Sequence, residues 1–424
     1  MRPLRLEERD ERMLYGADGD AARLAMRIVS AMAEVAGAER LIDVTSAHVD
    51  GCLYHGQASL DFAERLVAGG ARVRIPTSLN VGSLDLIHPE LYRGDPETGR
   101  RARRLMDLYQ AMGCRPTWTC APYQLAERRP GLGEHVAWAE SNAIAFVNSV
   151  LGARTDRYGD FIDICAAITG RVPDAGLHRD EGRRGQILFR LEDLPERLLT
   201  EDVLYPVLGH LIGGEAGTLI PVIEGLPAGV TEDQLKALGA AAASSGSVAL
   251  FHVVGVTPEA PALADAMGGG SPVQEITVTP EMVARSREAL TAAAPGRLAA
   301  VSVGTPHFSV AEFERLVDLA ADLRVDPEVE FYVSTGRDVL SEVQRRGWMP
   351  PLEEAGVRVV VDTCTYVTPI LRHRDGVVMT NSGKWAFYAP GNLGVDVAFG
   401  SLEECVRSAA RGEVWRDPEL WAGV

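Results

Sequence analysis

The chain has 424 residues and a formal net charge of −17; it is long enough for about two or three domains and ill suited to nucleic acid, whose phosphates need concentrated Lys and Arg. With 46% hydrophobic and 24% charged residues, its composition is that of a globular protein. No apolar run approaches the roughly 18 residues of a membrane span, and the opening MRPLRLEERDERML lacks the apolar core of a secretory signal. A cytoplasmic enzyme is the expectation.

In chain order, residues 19–36 carry apolar residues at helical spacing, and RLIDVTSAHVDG follows as a short strand breaking into a polar loop. Helix ASLDFAERLVAGG, strand ARVRIPTSL and loop NVGSLDLIHP come next, then helix RRARRLMDLYQAMG and strand RPTWTCAPY. Residues 255–272, rich in Pro, Gly and Ala, read as a loop or hinge. Beyond it, strand 298–304 leads through TPHFS to helix VAEFERLVDLAADL, strand 329–334 to helix RDVLSEVQRR, and strand 357–364 closes the unit. Alternation of this kind predicts α/β domains with parallel sheets. Ligands of such sheets gather at the carboxyl ends of strands. The polar segments TSAHVDG, TSLNVGS, TWTCAPY, VGTPHFS and VDTCTY all fall there, which suggests one central crevice.

The six cysteines form no CxxC pair. Cys120 and Cys364 have matched settings, TWTCAPY and VDTCTY, each flanked by threonines with a tyrosine nearby. Thiolates of this kind ligate iron or zinc, although inert burial is the default for a cysteine. Cys165, in FIDICAAITG, reads as core packing; Cys52 follows the SAHVDG loop, and Cys114 and Cys405 lie on helices as structural residues. Glu140, Ser141 and Asn142 open a helix and suit N-capping. Arg154, Thr155 and Arg157 beside Gly152 suit a carboxylate or phosphate, or else a solvated loop. His48 and His307, at loop starts after strands, offer acid–base chemistry or a plain hydrogen bond. Lys384, with Asn381 and Ser382, could hold a carboxylate or be an ordinary lysine. GxGxxG, Walker, HExxH and GxSxG motifs are absent from the sequence.

Taken together, SAHVDG, GARVRIPTSLNVGSLDL, GCRPTWTCAPYQ, WAESNAIAFVNSVLGARTDRYGDF, GVTPEAP, GTPHFS and DTCTY resemble the aconitase X family from about residue 10 to the end of the chain. The resemblance implies several aconitase-like α/β domains: an N-terminal region over 10–255, a hinge or loop over 256–280, an α/β domain over 281–375 and a segment over 376–424 returning to the crevice. It implies an iron–sulfur cluster, 2Fe–2S or 4Fe–4S, whose iron takes the leaving hydroxyl of a small hydroxy acid as a Lewis acid. The base is implied to be a serine on a swivel domain, which this chain is expected to lack and to receive as a separate small subunit. Cys120 and Cys364 match cluster ligands. Many relatives carry a third cysteine where this chain has Thr305, so Cys165, and more weakly Cys52, stand in reserve. The family pattern places His48, Glu140, His307 and Lys384 as catalytic residues. It places Ser46, Asn80, Ser141, Asn142, Arg154, Thr155, Arg157, Ser309, Asn381 and Ser382 around the substrate. RYGDFIDICAAITGRVP and the threonine of GTPHFS point to cis-3-hydroxy-L-proline as substrate, with phosphomevalonate the alternative. Outside hydro-lyase chemistry stand a cluster-less binding or regulatory relative, and a zinc or thiol hydrolase using Cys120 with His48 or His307.

Overall fold

The computed structural model describes residues 3–125, 129–192, 194–292, 296–321 and 323–424. The chain divides into two compact units, Met1–Leu84 with Asp95–Arg184, and Asp85–Gly94 with Gly185–Val424.

The first unit holds β1 (Leu41–Asp43), β2 (Ala47–Val49), β3 (Thr77–Leu79), β4 (Ala137–Trp138) and β5 (Arg171–Pro173). Strands β1 and β5 pair antiparallel, and β3-β2-β4 form a parallel sheet with His48 opposite Ser78 on one side and Trp138 on the other. Helix Asp20–Val35 buries Ala22, Ala25, Met26, Val29 and Ala33, a stripe at helical spacing. Helix Ile162–Thr169 is buried on the whole run from Asp163 to Thr169, as its apolar IDICAAIT requires, and Gly170 ends it in the left-handed region.

Two predicted strands of this unit are shorter than their sequence patterns. Of ARVRIPTSL only Thr77–Leu79 is a strand. Pro76 has no N–H to give a ladder, and the N–H groups of Val73 and Arg74 donate instead to the carbonyls of Met112 and Ala167. RPTWTCAPY starts as a bridge from Arg115 to Ser78, but Pro116 again has no donor. The Thr117 hydroxyl replaces the ladder, accepting from the Leu79 N–H at 2.9 Å and donating to its carbonyl at 2.8 Å. Trp118 then turns at φ 45°, and Cys120 lies beyond the end of β3 in an irregular segment.

The second unit contains two wholly parallel sheets. The first joins β6 (Ile187–Leu191), β7 (Pro221–Glu224), β8 (His252–Val253) and β9 (Gln274–Val278) in the order β8-β7-β6-β9. Residues 255–272 connect β8 to β9 inside this sheet, with the short helix Leu263–Ala266 among them. The second sheet joins β10 (Leu298–Phe308), β11 (Glu330–Thr335), β12 (Val357–Val361), β13 (Val377–Thr380) and β14 (Asp396–Phe399) in the order β12-β11-β10-β13-β14. Every residue of β10 is buried, as a central parallel strand covered on both faces demands. Helix Val310–Ala320 follows it, buries Phe313 and Leu316 and is capped by Ser309; residue 322 of the predicted helix lies outside the described residues.

Candidate functional site

The three-, four- and five-stranded sheets each contain a break in strand order. In β3-β2-β4 the chain proceeds from β2 to one side and then to the other, so the switch lies between β2 and β4. In the five-stranded sheet it lies between β10 and β13. Loops leaving the carboxyl ends on either side of such a switch diverge and leave room for a ligand.

At the switch of the first unit stand Asp50, Asn80 and Glu140, immediately after β2, β3 and near the end of β4. Glu140, held at φ 75°, caps helix Ser141–Ser149. Its carboxylate accepts from the Ala143 N–H at 2.8 Å and the Asn142 amide at 3.1 Å. The same Asn142 amide donates to the Cys120 carbonyl at 2.6 Å, and the Tyr123 hydroxyl donates to the Asn142 carbonyl oxygen at 2.9 Å. Cys120, Glu140, Ser141 and Asn142 are thus brought into one hydrogen-bonded group, with Ser141 donating to Glu140.

Asp50 and Asp163 are the members that the sequence reading passed over. The Asn80 amide donates to the Asp50 carboxyl, while the N–H groups of Asp50 and Gly51 donate to Asp163 at 2.7 and 3.0 Å. Burial, reinforced by the charges of Glu140 and Asp160, pushes the Asp50 carboxyl up to about 8. Burial pushes Asp163 up to about 7, against the backbone donors that favour its anion. His48 goes the other way. It is fully buried, meets Ser78 through Nδ1 at 2.8 Å, and burial drops it to about 4 although Glu140 opposes this. At neutral pH the histidine is neutral and Asp50 is protonated. The signals available for these acids were a carboxylate directly after a strand and an aspartate inside the apolar IDICAAIT.

Other predicted residues of this unit lie elsewhere in it or have fixed partners. Ser46 is at the amino end of β2, where its hydroxyl accepts from the Trp138 indole at 3.3 Å. Thr155 accepts from the Trp138 N–H and donates to the Trp138 carbonyl, which completes the edge of β4. Arg154 binds the His178 carbonyl and Asp180. Arg157 is exposed, and among the described residues its guanidinium makes no ion pair. Cys165 is fully buried in its helix, and burial pushes its thiol up, as it does those of Cys52, Cys114 and Cys405.

At the switch of the second unit, β10 leaves the regular ladder. Val303 pairs with Val333 and Phe308 with Thr335, so Gly304, Thr305, Pro306 and His307 lie opposite the single residue Ser334. A bulge of this kind re-aims side chains beside a site. Gly304 has φ +88°, and a Cβ there would stand 2.2 Å from the Ser334 carbonyl oxygen, so only glycine fits. Across the switch, Ser382 donates to the Thr305 carbonyl and accepts from the Trp385 N–H, capping helix Gly383–Leu393, whose first turn holds the buried Lys384. Asn381 sits beside it, lining a cavity of about 230 Å³ with Asp202, Asp233 and Glu312.

Cys364 lies in the loop that follows β12. Its neighbour Asp362, at φ 63°, receives Arg337 in a two-pronged ion pair with both contacts 2.6 Å, and the Leu86 N–H at 3.2 Å. Asp85 accepts from the Val361 N–H, and Arg93 donates to the carbonyls of Pro369 and Ile370. From β10, Ser302 meets Thr365 at 2.5 Å and His307 reaches the Thr363 carbonyl at 3.2 Å, while the Trp385 indole donates to Thr365. His307, Thr305, Cys364, Ser382 and Lys384 are therefore brought to one edge of the sheet. Ser309 is occupied in capping, and its hydroxyl also donates to Asp233 at 2.6 Å.

Several buried polar atoms on these segments have no hydrogen-bond partner among the described residues: His48 Nε2, Asn80 Oδ1, Trp118 Nε1, Thr305 Oγ1 and Ser334 Oγ. Such atoms are rare in native interiors and mark places where a further group is accommodated. Cys120 and Cys364 are 5% and 2% exposed, and no disulfide engages either. Each offers its own unit one buried sulfur of the kind that ligates iron; among the described residues no group of three or more His, Cys, Asp or Glu side chains is placed to hold a metal ion.

Models of the first, second and third domains of aconitase X match residues 3–181, 185–288 and 298–411. The chain belongs to the aconitase X family. A crystal structure of Thermococcus kodakaraensis aconitase X in its holo-form is similar with a TM-score of 0.86 and 32% identity, covering 96% of this chain and 100% of that one. Among curated aconitase X relatives, a cis-3-hydroxy-L-proline dehydratase of Pseudomonas aeruginosa is 44% identical over 96% of this chain and 70% of its own length. One of Hypocrea jecorina is 41% identical over 96% and 69%. A phosphomevalonate dehydratase large subunit of Methanothermobacter thermautotrophicus is 37% identical over 95% and 98%. No helix among the described residues of this aconitase X chain is long and apolar enough to cross a membrane.

Proposed function

We propose that the chain is the large component of an iron–sulfur hydro-lyase that dehydrates cis-3-hydroxy-L-proline. The hydrogen on C2 and the hydroxyl on C3 leave as water, and the resulting enamine shifts its double bond to nitrogen, giving pyrroline-2-carboxylate. The observation that carries this reading is the 44% identity to a cis-3-hydroxy-L-proline dehydratase, against 37% to a phosphomevalonate dehydratase large subunit.

Cys120 and Cys364 are the proposed thiolate ligands; Cys165, buried in its helix with a raised thiol pKa, suits packing instead. The cluster, when bound, supplies a Lewis-acidic iron for the 3-hydroxyl. The chain's own residues do the rest of the work assigned to this component. Asp50, protonated at neutral pH, holds a proton on its carboxyl and delivers it to the departing oxygen. His48, two residues earlier on β2, is held neutral by burial and meets Ser78. The Arg157 guanidinium is available to bind the substrate carboxylate, and Lys384 adds positive charge at the end of β13. The base that removes the C2 hydrogen is assigned to a serine of a small second component.

Anaerobic purification with that component, iron analysis and assay on both substrates test the reading. Water elimination from cis-3-hydroxy-L-proline is expected, with Cys120→Ser and Cys364→Ser each losing iron and activity together. Turnover of phosphomevalonate alone, or full iron content in either variant, would sink it.

A further inference from the structure

Helix Gly383–Leu393 and the loop after β12 are unusual in a chain that is 24% charged. The helix, GKWAFYAPGNL, has Lys384 as its only charged residue, and that lysine is buried. The loop sequence TCTYVTPIL, 363–371, has no charge at all. The two stretches meet through aromatic rings. Tyr366 stacks on Tyr388 with centroids 5.9 Å apart and planes 11° from parallel, and Phe387 stands edge-on to Tyr388 at 5.1 Å. Phe387 is 44% exposed. An aromatic, charge-depleted face has the composition of an interface core rather than of free surface.

We propose that the face formed by Tyr366, Phe387 and Tyr388 is where the small second component docks. The inference rests on reading this chain as a large component. Two observations select that occupant. Relatives named large subunits are matched over almost their whole length, 98% in one case, whereas the cis-3-hydroxy-L-proline dehydratases are matched over 70% and 69% of theirs. The fold therefore occurs either under a name that presupposes a smaller subunit or joined to a further stretch of chain. The face is also continuous with the candidate site, because Tyr366 is two residues past Cys364 and Phe387 lies one turn beyond Ser382 and Lys384. A component seated there reaches the carboxyl edge of the sheet. Its contacting surface must be apolar and uncharged with a recess for the Phe387 ring, since a charge buried against these rings would lose its water without gaining a partner.

The test is calorimetric titration of the full chain with the small-subunit homologue encoded in the same genome. Wild type binds, and Phe387→Asp weakens binding by roughly 30-fold or more, the scale of an interface hot spot. Phe387→Ser shifts affinity in the same direction by less, and thermal melts like those of wild type separate loss of docking from loss of fold. Val273→Asp, at an apolar residue that is 73% exposed beside β9 of the other sheet, leaves affinity unchanged. Hydrogen exchange in the complex shows new protection in 363–371 and 383–393. Equal affinities for Phe387→Asp and wild type overturn the docking face and leave the two-component reading standing. A wild-type chain that does not bind at all overturns both. Self-association of the wild type that Phe387→Asp abolishes gives the face to a second copy and also overturns the inference.

Discussion

At the end of β2, Asp50 carries the proton that a histidine more often carries near neutral pH. Burial acts on both residues, but with opposite results: it penalises charge, so it keeps the Asp50 acid protonated and the His48 base neutral. Glu140 strengthens the first effect and opposes the second. The residue composition around SAHVDG put histidine forward as the acid–base group, because its ordinary pKa is nearest to neutrality. Desolvation reverses that ranking, and desolvation is invisible until the neighbours are known. Asp50→Asn keeps the acceptor that meets the Asn80 amide but has no proton to give. It should lower kcat by about 100-fold or more with little change in melting temperature. In the wild type, activity should fall as pH rises through about 8, where Asp50 ionises. A pH–rate profile checks both points, and an unchanged limb above pH 8 in Asp50→Asn would assign that limb to another group.

Among elements, the loop after β12 and the end of β10 are held by different means. The loop after β12 is pinned by hydrogen bonds and by the Asp362–Arg337 pair, whereas the end of β10 is tied to helix Glu232–Ser245 by a buried lysine. Lys236 is 2% exposed, lies 2.8 Å from Asp233, pairs with Glu312 and reaches the His307 carbonyl at 3.4 Å. Burial pushes Glu312 up to about 7, and the nearby ammonium restrains the rise. Lys236→Met leaves two half-buried carboxyls without their shared cation. It should cost roughly 3 kcal/mol, measured by urea unfolding, with the loss growing as pH rises and Glu312 ionises. Adding Glu312→Gln should recover much of it, and a null result in Lys236→Met would mean that water already shields the pair. Element existence was legible in the sequence for the long amphipathic helices and for β10, β11 and β12, whose apolar runs have strand length. The reductions of ARVRIPTSL and RPTWTCAPY trace to Pro76 and Pro116, residues present in the patterns but outvoted there by their apolar neighbours.

For the whole molecule, raised carboxyls set the response to pH. Asp50, Asp163 and Glu312 have folded values of about 8, 7 and 7, well above those of free carboxyls, so the folded state retains protons that the unfolded chain has released. Their stabilising contribution is complete at low pH and is lost as pH rises through 7 and 8. His48 and His178, lowered to about 4 and 3, work in the opposite direction but only below their unfolded values near 6.5. Between pH 6.5 and 8 the carboxyls act alone, and stability should fall by roughly 1 to 2 kcal/mol from Asp50 by itself. Thermal melts of wild type and Asp50→Asn across that range check this; parallel curves would count against a raised Asp50. The sequence by itself determined the α/β class and the family, because periodicity, turn residues and long motifs are local properties of the chain; it set His48 and His307 at loop starts, whereas they lie within β2 and β10. Only the tertiary structure decided the strand orders, the bulge at Gly304–His307 and the protonation of Asp50 and His48, because each depends on residues distant in sequence that set pairing, steric room and dielectric surroundings.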